Sequence, residues 1–265
     1  MVKGHRGEKM LDPSELIRYN RQLVIPDFGE EGQGKLKGSR IVIAGVGGLG
    51  CASATYLTAA GVGRITIVDF DSVELSDLNR QILYWEEDIG EKKVVAAQRK
   101  LTKLNPAVDI IPVFTKITEE NVLNLIDEAQ VVVDGLDNFA TRFVLNSACV
   151  KHKTPYIYGG VSRLRGMVTT IIPGKTPCLA CLDPKGATGL GVLGVTPALI
   201  ANLQALETIK LLIGHSPSLA GRLLLFNGDD MKFQVYDIKR NESCQVCSPV
   251  LLHQEERAAP SKEQP

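Results

Sequence analysis

An excess of charge of either sign is missing from this sequence: 30 Lys and Arg stand against 30 Asp and Glu over 265 residues, for a formal net charge of zero. That balance excludes a broad nucleic-acid or anionic-membrane surface, since either needs a basic face. It leaves room for a local basic pocket. Long apolar runs are missing too. None approaches the roughly 18 uninterrupted apolar residues of a membrane span. The nearest, 195–213, is broken by Asn202, Gln204, Glu207 and Lys210 and reads as a mostly buried helix. The N-terminal MVKGHRGEKMLDPSE has no apolar core of a secretory signal, so a cytoplasmic protein is expected. Histidine is sparse, and His5, His152, His215 and His253 fall outside every motif. What remains is 44% hydrophobic, which excludes disorder over most of the chain and suits one large α/β domain or two small ones.

The order of patterns points to an α/β chain. Residues 1–13 and the tail from about 250 are polar and aperiodic, expected to be flexible ends. Ser14 opens helix formers running to Leu23, and the Gly-rich GEEGQGKLKG leads to the β-branched run RIVIA from Arg40. A Gly turn then opens a helix ending at Gly61, and 64–71 is a second strand. Helices are expected over 93–105, 119–129 and 139–152, and strands over 108–114, 131–134 and 155–158. This alternation predicts a doubly wound, Rossmann-like, mainly parallel sheet. After about residue 160, GMVTTIIPG and GRLLLFNGDDMKFQVYDIKR alternate around a hairpin signal, so antiparallel strands should extend that sheet, with the 195–213 helix packed on it.

Gly45, Gly47, Gly48 and Gly50 lie in GVGGLG, between a strand and a helix. Gly45 permits the tight turn, Gly47 lets backbone approach a phosphate, and Gly50 allows close helix–strand packing; the helix N-terminus offers free N–H groups to the anion. Asp69 ends the second strand about 20 residues on, where a ribose-binding acid belongs. The motif alone does not choose between a dinucleotide and ATP. The unusually long polar connection that follows carries Asp71, Ser76, Asp77, Leu78, Asn79 and Arg80, with Lys93 at the next helix and Asp137-Asn138 after a strand. Cations and a carboxylate at strand ends suit a triphosphate with Mg²⁺.

Four of the six cysteines form two chelating pairs, Cys178-x-x-Cys181 and Cys244-x-x-Cys247. Together they make a closed tetrahedral, structural zinc site, with redox pairs or disulfides as the competing readings. Cys51 and Cys149 read as packing residues.

RYNRQ (18–22), GVGGLG (45–50), DFDSVELSDLNRQ (69–81), GEKKV (90–94), DGLDN (134–138), CLAC (178–181) and CQVC (244–247) occur in order. In this the sequence resembles the ThiF/MoeB/HesA adenylyltransferases, relatives of the ubiquitin-activating enzymes. The resemblance spans about 14–249 and implies a single adenylation domain, with a nucleotide-binding part at about 40–160 and a carrier-binding, zinc-containing part at about 161–249. It implies ATP-dependent adenylation of the C-terminal Gly-Gly carboxylate of a small ubiquitin-like sulfur carrier, with ATP, Mg²⁺ and Zn²⁺ as cofactors. It also implies a homodimer. By position, Arg80 meets the phosphates, Ser76 to Arg80 line the nucleotide, Lys93 is the family lysine, Asp137 the Mg²⁺-linked acid, and Arg21 an arginine inserted into the partner's site. Asp77 departs from the pattern, which usually has Asn. The further cysteine of some relatives falls near Ala187 or Thr188 and is absent, so a separate sulfur donor is expected. Competing expectations are a nicotinamide-dependent oxidoreductase on the same glycine loop, an inactive adenylyltransferase-like binding subunit, and activation of a tRNA carboxylate.

Overall fold

Two β-branched runs, RIVIA and VVVD, set the centre of the molecule. In the computed structural model, which describes residues 10–182, 184 and 191–248, they are β1 (Arg40–Ala44) and β4 (Val131–Asp134), paired in parallel. Before them come α1 (Pro13–Arg18), α2 (Asn20–Leu23) and α3 (Gly29–Lys37). Between β1 and β4 lie α4 (Gly48–Ala60), β2 (Arg64–Asp69), α5 (Lys93–Leu104), β3 (Asp109–Phe114) and α6 (Val122–Ile126). After β4 follow α7 (Phe139–His152), β5 (Tyr156–Ser162), β6 (Arg165–Ile171), α8 (Leu179–Leu182), α9 (Val195–Ile213), β7 (Arg222–Asn227) and β8 (Lys232–Asp237).

One eight-stranded sheet in the order β3-β2-β1-β4-β5-β6-β7-β8 results. The first five strands run parallel and β6, β7 and β8 antiparallel. The doubly wound sheet with an antiparallel extension is therefore as the sequence patterns indicate. Strand alternation divides two apolar layers. Ile41, Ile43, Val131, Val133 and Ile157 face a layer built with α4, α5 and α9. Val42, Ala44, Val132, Tyr156 and Tyr158 face one built with α6, α7 and α8. Strand order reverses between β1 and β4, and the crevice beyond the carboxyl ends there is where such sheets bind ligands.

Several local expectations are revised. Asp12, not Ser14, caps the first helix: its Oδ1 accepts from the N–H of Ser14 and Glu15 at 2.8 and 3.0 Å. Asp12 and Pro13 thus belong to ordered structure rather than to a flexible end. That helix breaks at Tyr19, whose ring is buried and whose hydroxyl accepts from Asn105 Nδ2 at 2.8 Å. The Gly-rich stretch is helix α3, because Gly32 lets the Phe28 ring lie against the helix: a Cβ there would sit 3.2 Å from it. The helix expected over 119–129 shortens to α6, because the Asn121 side chain takes the Thr118 N–H in a turn (2.9 Å). β5 runs on through Gly159 and Gly160, because a Cβ at Gly159 would lie 2.5 Å from the side chain of Gln204 on α9. Of the expected flexible ends (1–13 and from about 250), residues 1–9 and the whole tail lie outside the described residues, as do positions 187 and 188. No described helix is long and apolar enough to cross a membrane.

Candidate active site

The glycine loop leaves β1 and enters α4 at the point where strand order reverses. Gly45 has φ +89°, and a Cβ there would lie 2.7 Å from the carbonyl oxygen of Gly135, the residue after β4. The two loops of the switch point therefore touch backbone to backbone, which only glycine allows. Gly50 is more constrained still: a Cβ would fall 1.9 Å from Gly45 O. Gly50→Ala is expected to cost about 1–3 kcal/mol or more, as overpacking does, with a lower urea midpoint at unchanged m-value. At Gly47 a Cβ would meet nothing closer than 3.8 Å, so that backbone stands open toward the crevice.

Side chains around the crevice hold the loop's shape. Asp69 Oδ2 accepts from Val46 N at 2.8 Å and Oδ1 from Asp71 N at 2.8 Å. Tyr84 Oη donates to Val46 O at 2.8 Å, so both polar groups of Val46 are engaged. Burial raises the Asp69 carboxyl above the ordinary carboxylate range, and the Val46 and Asp71 N–H groups work against that rise. Each carboxylate oxygen still has a lone pair for a ligand hydroxyl.

The long connection between β2 and α5 places the charges. A short 3₁₀ turn, Leu75–Asp77, buries Asp77 and turns Arg80 back over it. Asp77 Oδ1 accepts from Gln81 Nε2 at 2.7 Å and lies 3.4 Å from the Arg80 guanidinium; Oδ2 accepts from Glu74 N at 3.1 Å and lies 3.3 Å from Lys93 Nζ. Lys93 is 5% exposed and also reaches Asp71, at 3.4 Å. Arg80 Nη1 donates to Ser76 O at 2.7 Å, and Asn79 Nδ2 to the same carbonyl at 3.1 Å. Leu78 packs into the apolar layer. The Arg80 stem and Pro197 both run close to Gly48, and Gly194 sits against Asn79 O, so the start of α9 closes over this turn. Asp137 is exposed beyond β4, next to Asn138, whose Nδ2 donates to it at 3.3 Å and whose Oδ1 caps α7 through Thr141 N at 2.9 Å.

Arg21 is not brought to this crevice. It is exposed on α2, beside Gln22, which donates to Ala60 O at the far end of α4. With 13 residues in α4, that is about 20 Å from the glycine loop. Its own chain leaves it out of the site.

The second cluster joins α8 to the chain after β8. The Sγ atoms of Cys178, Cys181, Cys244 and Cys247 all lie within 4.8 Å of one another. Separations are 3.9 Å (178–181), 3.7 Å (178–244) and 3.4 Å (181–247). Four sulfurs around one ion, each about 2.3 Å from it, stand about 3.8 Å apart, so the donors fit a tetrahedral metal. Without an ion they cannot all ionise: burial pushes the Cys178 thiol up to about 11. Cys244 is drawn down to about 7, where burial is outweighed by the N–H groups of Cys247 and Val246. Cys51 and Cys149 are wholly buried, and burial pushes both thiols up, Cys51 to about 12.

Sequence reasoning missed Arg142. It is 6% exposed on α7, with Nε donating to Asp134 Oδ2 at 2.9 Å and Nη2 to Gly159 O at 2.8 Å and to Leu136 O. Its guanidinium lies 5.5 Å from the centre of the Phe139 ring and 5.3 Å from that of Tyr158. It thereby fixes the loop that carries Asp137. A single Arg inside an apolar helix was the only signal available.

Known proteins place the whole arrangement. Residues 19–246 match the ThiF family model. Over 246 residues the chain is 40% identical to a sulfur carrier protein adenylyltransferase of Thermus thermophilus, covering 88% of this chain and 91% of that protein. It is 41% identical to the adenylyltransferase and sulfurtransferase MOCS3 of Aedes aegypti over 90% of its own length, and spans only 56% of that longer protein. Among solved structures, E. coli MccB with succinimide superposes at a TM-score of 0.80 with 26% identity, over 87% of this chain and 73% of that one. E. coli MccB with ATP gives 0.74 and 27%, over 82% and 69%. With the glycine loop, the charged turn, the DGLDN loop and three of the four clustered cysteines inside the matched span, and Cys247 one residue beyond it, this chain belongs to the ThiF family.

Proposed function

We propose that the protein adenylates the C-terminal Gly-Gly carboxylate of a small ubiquitin-like sulfur carrier with ATP, for later sulfur transfer. The observation that carries this reading is the convergence of Arg80 and Lys93 beside an open glycine loop and the Asp69 carboxylate, a set that a nicotinamide enzyme has no use for. Among relatives, the Thermus protein, a sulfur carrier protein adenylyltransferase by name, supports it.

In this mechanism the glycine-loop N–H groups and the α4 N-terminus receive phosphate oxygens, and Asp69 accepts from ribose hydroxyls. A carrier carboxylate oxygen forms a bond to the α-phosphorus, the bond from that phosphorus to the bridging oxygen breaks, and pyrophosphate leaves with the electron pair. No base is required, since a carboxylate is already ionised at neutral pH. Catalysis therefore consists of holding two anions in line and stabilising charge at the α-phosphate, which Arg80 and Lys93 do. Asp137, exposed beyond the carboxyl end of β4 with Asn138, would offer the oxygen donors Mg²⁺ prefers, and the ion would supply charge neutralisation at the phosphates. Arg21 fits a homodimer in which each chain lends it to the other's crevice. Retention of ATP but not NADH in calorimetry, and a carrier adenylate in the mass spectrum of the reaction mixture, test the reading. Binding of NADH alone would favour the oxidoreductase.

Zinc is the proposed occupant of the cysteine cluster. Intact protein should hold one zinc per chain by elemental analysis. Cys244→Ser should lose it and melt about 10 °C lower or more, as a removed structural metal does. No cysteine then remains to form a covalent link to the carrier, because Cys51 and Cys149 are buried and held as thiols. The acyl adenylate is handed to a separate sulfur donor, and a thiol-cleavable carrier–enzyme adduct would contradict this.

A further inference from the structure

We propose that Asp77 is a fixed counter-anion that limits how tightly the crevice takes a polyphosphate, and so is an affinity-determining residue of this site. The inference rests on the reading that Arg80 and Lys93 meet the phosphates of ATP.

Asp77 and the two cations are held unequally. The carboxylate is anchored by neutral donors, Gln81 Nε2 at 2.7 Å and Glu74 N at 3.1 Å, and is 6% exposed. Its ion pairs are longer, 3.4 Å to Arg80 and 3.3 Å to Lys93, against about 2.7–2.9 Å for a tight charge-assisted bond. Lys93 has a second acid at 3.4 Å in the half-exposed Asp71, and Arg80 keeps its bond to Ser76 O without Asp77. The cations can therefore turn to an arriving anion, whereas the carboxylate stays where Gln81 and Glu74 pin it. A bound phosphate then shares both cations with a negative charge that cannot withdraw, and like charges at such spacing weaken binding.

The fold does not require that charge. Gln81 Oε1 is buried without a hydrogen-bond partner. Turning the Gln81 amide over would aim Oε1 at the Nδ2 of an asparagine at position 77, whose oxygen would still accept from Glu74 N. One buried amide atom is unpartnered in either arrangement. A neutral, similarly shaped side chain is thus compatible with the turn, and what the carboxylate adds is charge beside the cations.

Calorimetric titration of intact wild-type protein and Asp77→Asn with ATP and with adenosine, in Mg²⁺ buffer, tests the proposal. The expected result is ATP binding about tenfold tighter in the variant, with adenosine affinity changed less than twofold. Equal or weaker ATP binding in the variant, or adenosine tightening in parallel, overturns the role of Asp77 and leaves the nucleotide site standing. No ATP binding by either protein overturns the nucleotide reading and this inference with it. Asp77→Ser, whose hydroxyl can still accept from Glu74 N, should shift ATP affinity in the same direction and serves if the asparagine variant does not fold.

Discussion

Arg80→Ala is expected to lower carrier-dependent ATP–pyrophosphate exchange by about a hundred- to a thousandfold, the cost of removing one donor aimed at charge that develops in a transition state. The variant separates chemistry from folding. Arg80 has a third of its side chain exposed and its pair with Asp77 is long, so its removal leaves the 3₁₀ turn anchored by Glu74 N and Gln81. A melting temperature within a few degrees of wild type should accompany the loss. Lys93→Ala would be a poorer probe. Lys93 and Asp77 are both buried, and truncation strands the carboxylate. An Arg80→Ala enzyme with more than a tenth of wild-type exchange would remove Arg80 from the reaction.

Arg142→Ala should produce the largest change in stability. The guanidinium neutralises Asp134, which is 0% exposed, and ties β4, the DGLDN loop and β5 together. Breaking a buried pair by deleting one partner costs about 3–5 kcal/mol, or about 6–20 °C in melting temperature for a domain of this size. Burial already pushes the Asp134 carboxyl above its ordinary range, against the pull of Arg142. Without Arg142 it rises further. The folded state then holds the Asp134 proton more tightly than the unfolded state does, so stability falls as pH rises from the ordinary carboxylate range through the raised value. The deficit of Arg142→Ala should therefore be smaller near pH 4 than at pH 7, by urea unfolding at both. In the double variant Asp134→Asn/Arg142→Met, no bare charge is buried and most of the loss should be recovered. A deficit independent of pH would mean that Asp134 is not the group left exposed to desolvation.

The parts of this site that were legible in sequence are those whose chemistry lies within a few residues. Gly45 is required by its own positive φ and Gly50 by the carbonyl of Gly45, the two Cys-x-x-Cys pairs by ligand spacing, and Asp69 by its place at a strand end. Strand alternation and the 195–213 helix were equally readable, since periodicity is a local property. What sequence could not show depends on tertiary neighbours. Gly159 and Gly160 look like a strand terminator, yet they continue β5 because Gln204 of α9 fills the space a Cβ would take. Tyr19 breaks a helix that its neighbours favour, because its ring is buried. Tyr84 is an ordinary aromatic until its hydroxyl is found on Val46 O. Asp77 was visible as a departure from a family pattern, but its effect required the distances to Arg80, Lys93, Gln81 and Glu74.

Arg21 marks the boundary of what one chain contains. It is exposed and separated from its own crevice by the length of α4, so any contribution to phosphate binding must cross between chains. Mixing Arg21→Ala chains with Arg80→Ala chains should restore part of the exchange activity if sites are shared.

The central claim is that this site activates a protein carboxylate with ATP. Exchange of labelled pyrophosphate into ATP by the wild-type protein, with and without small Gly-Gly-ending carriers from the same organism, measures it most directly. The expected result is exchange that appears with one such carrier and vanishes when its final glycine is deleted. Exchange with none of them, while ATP is bound, would contradict it.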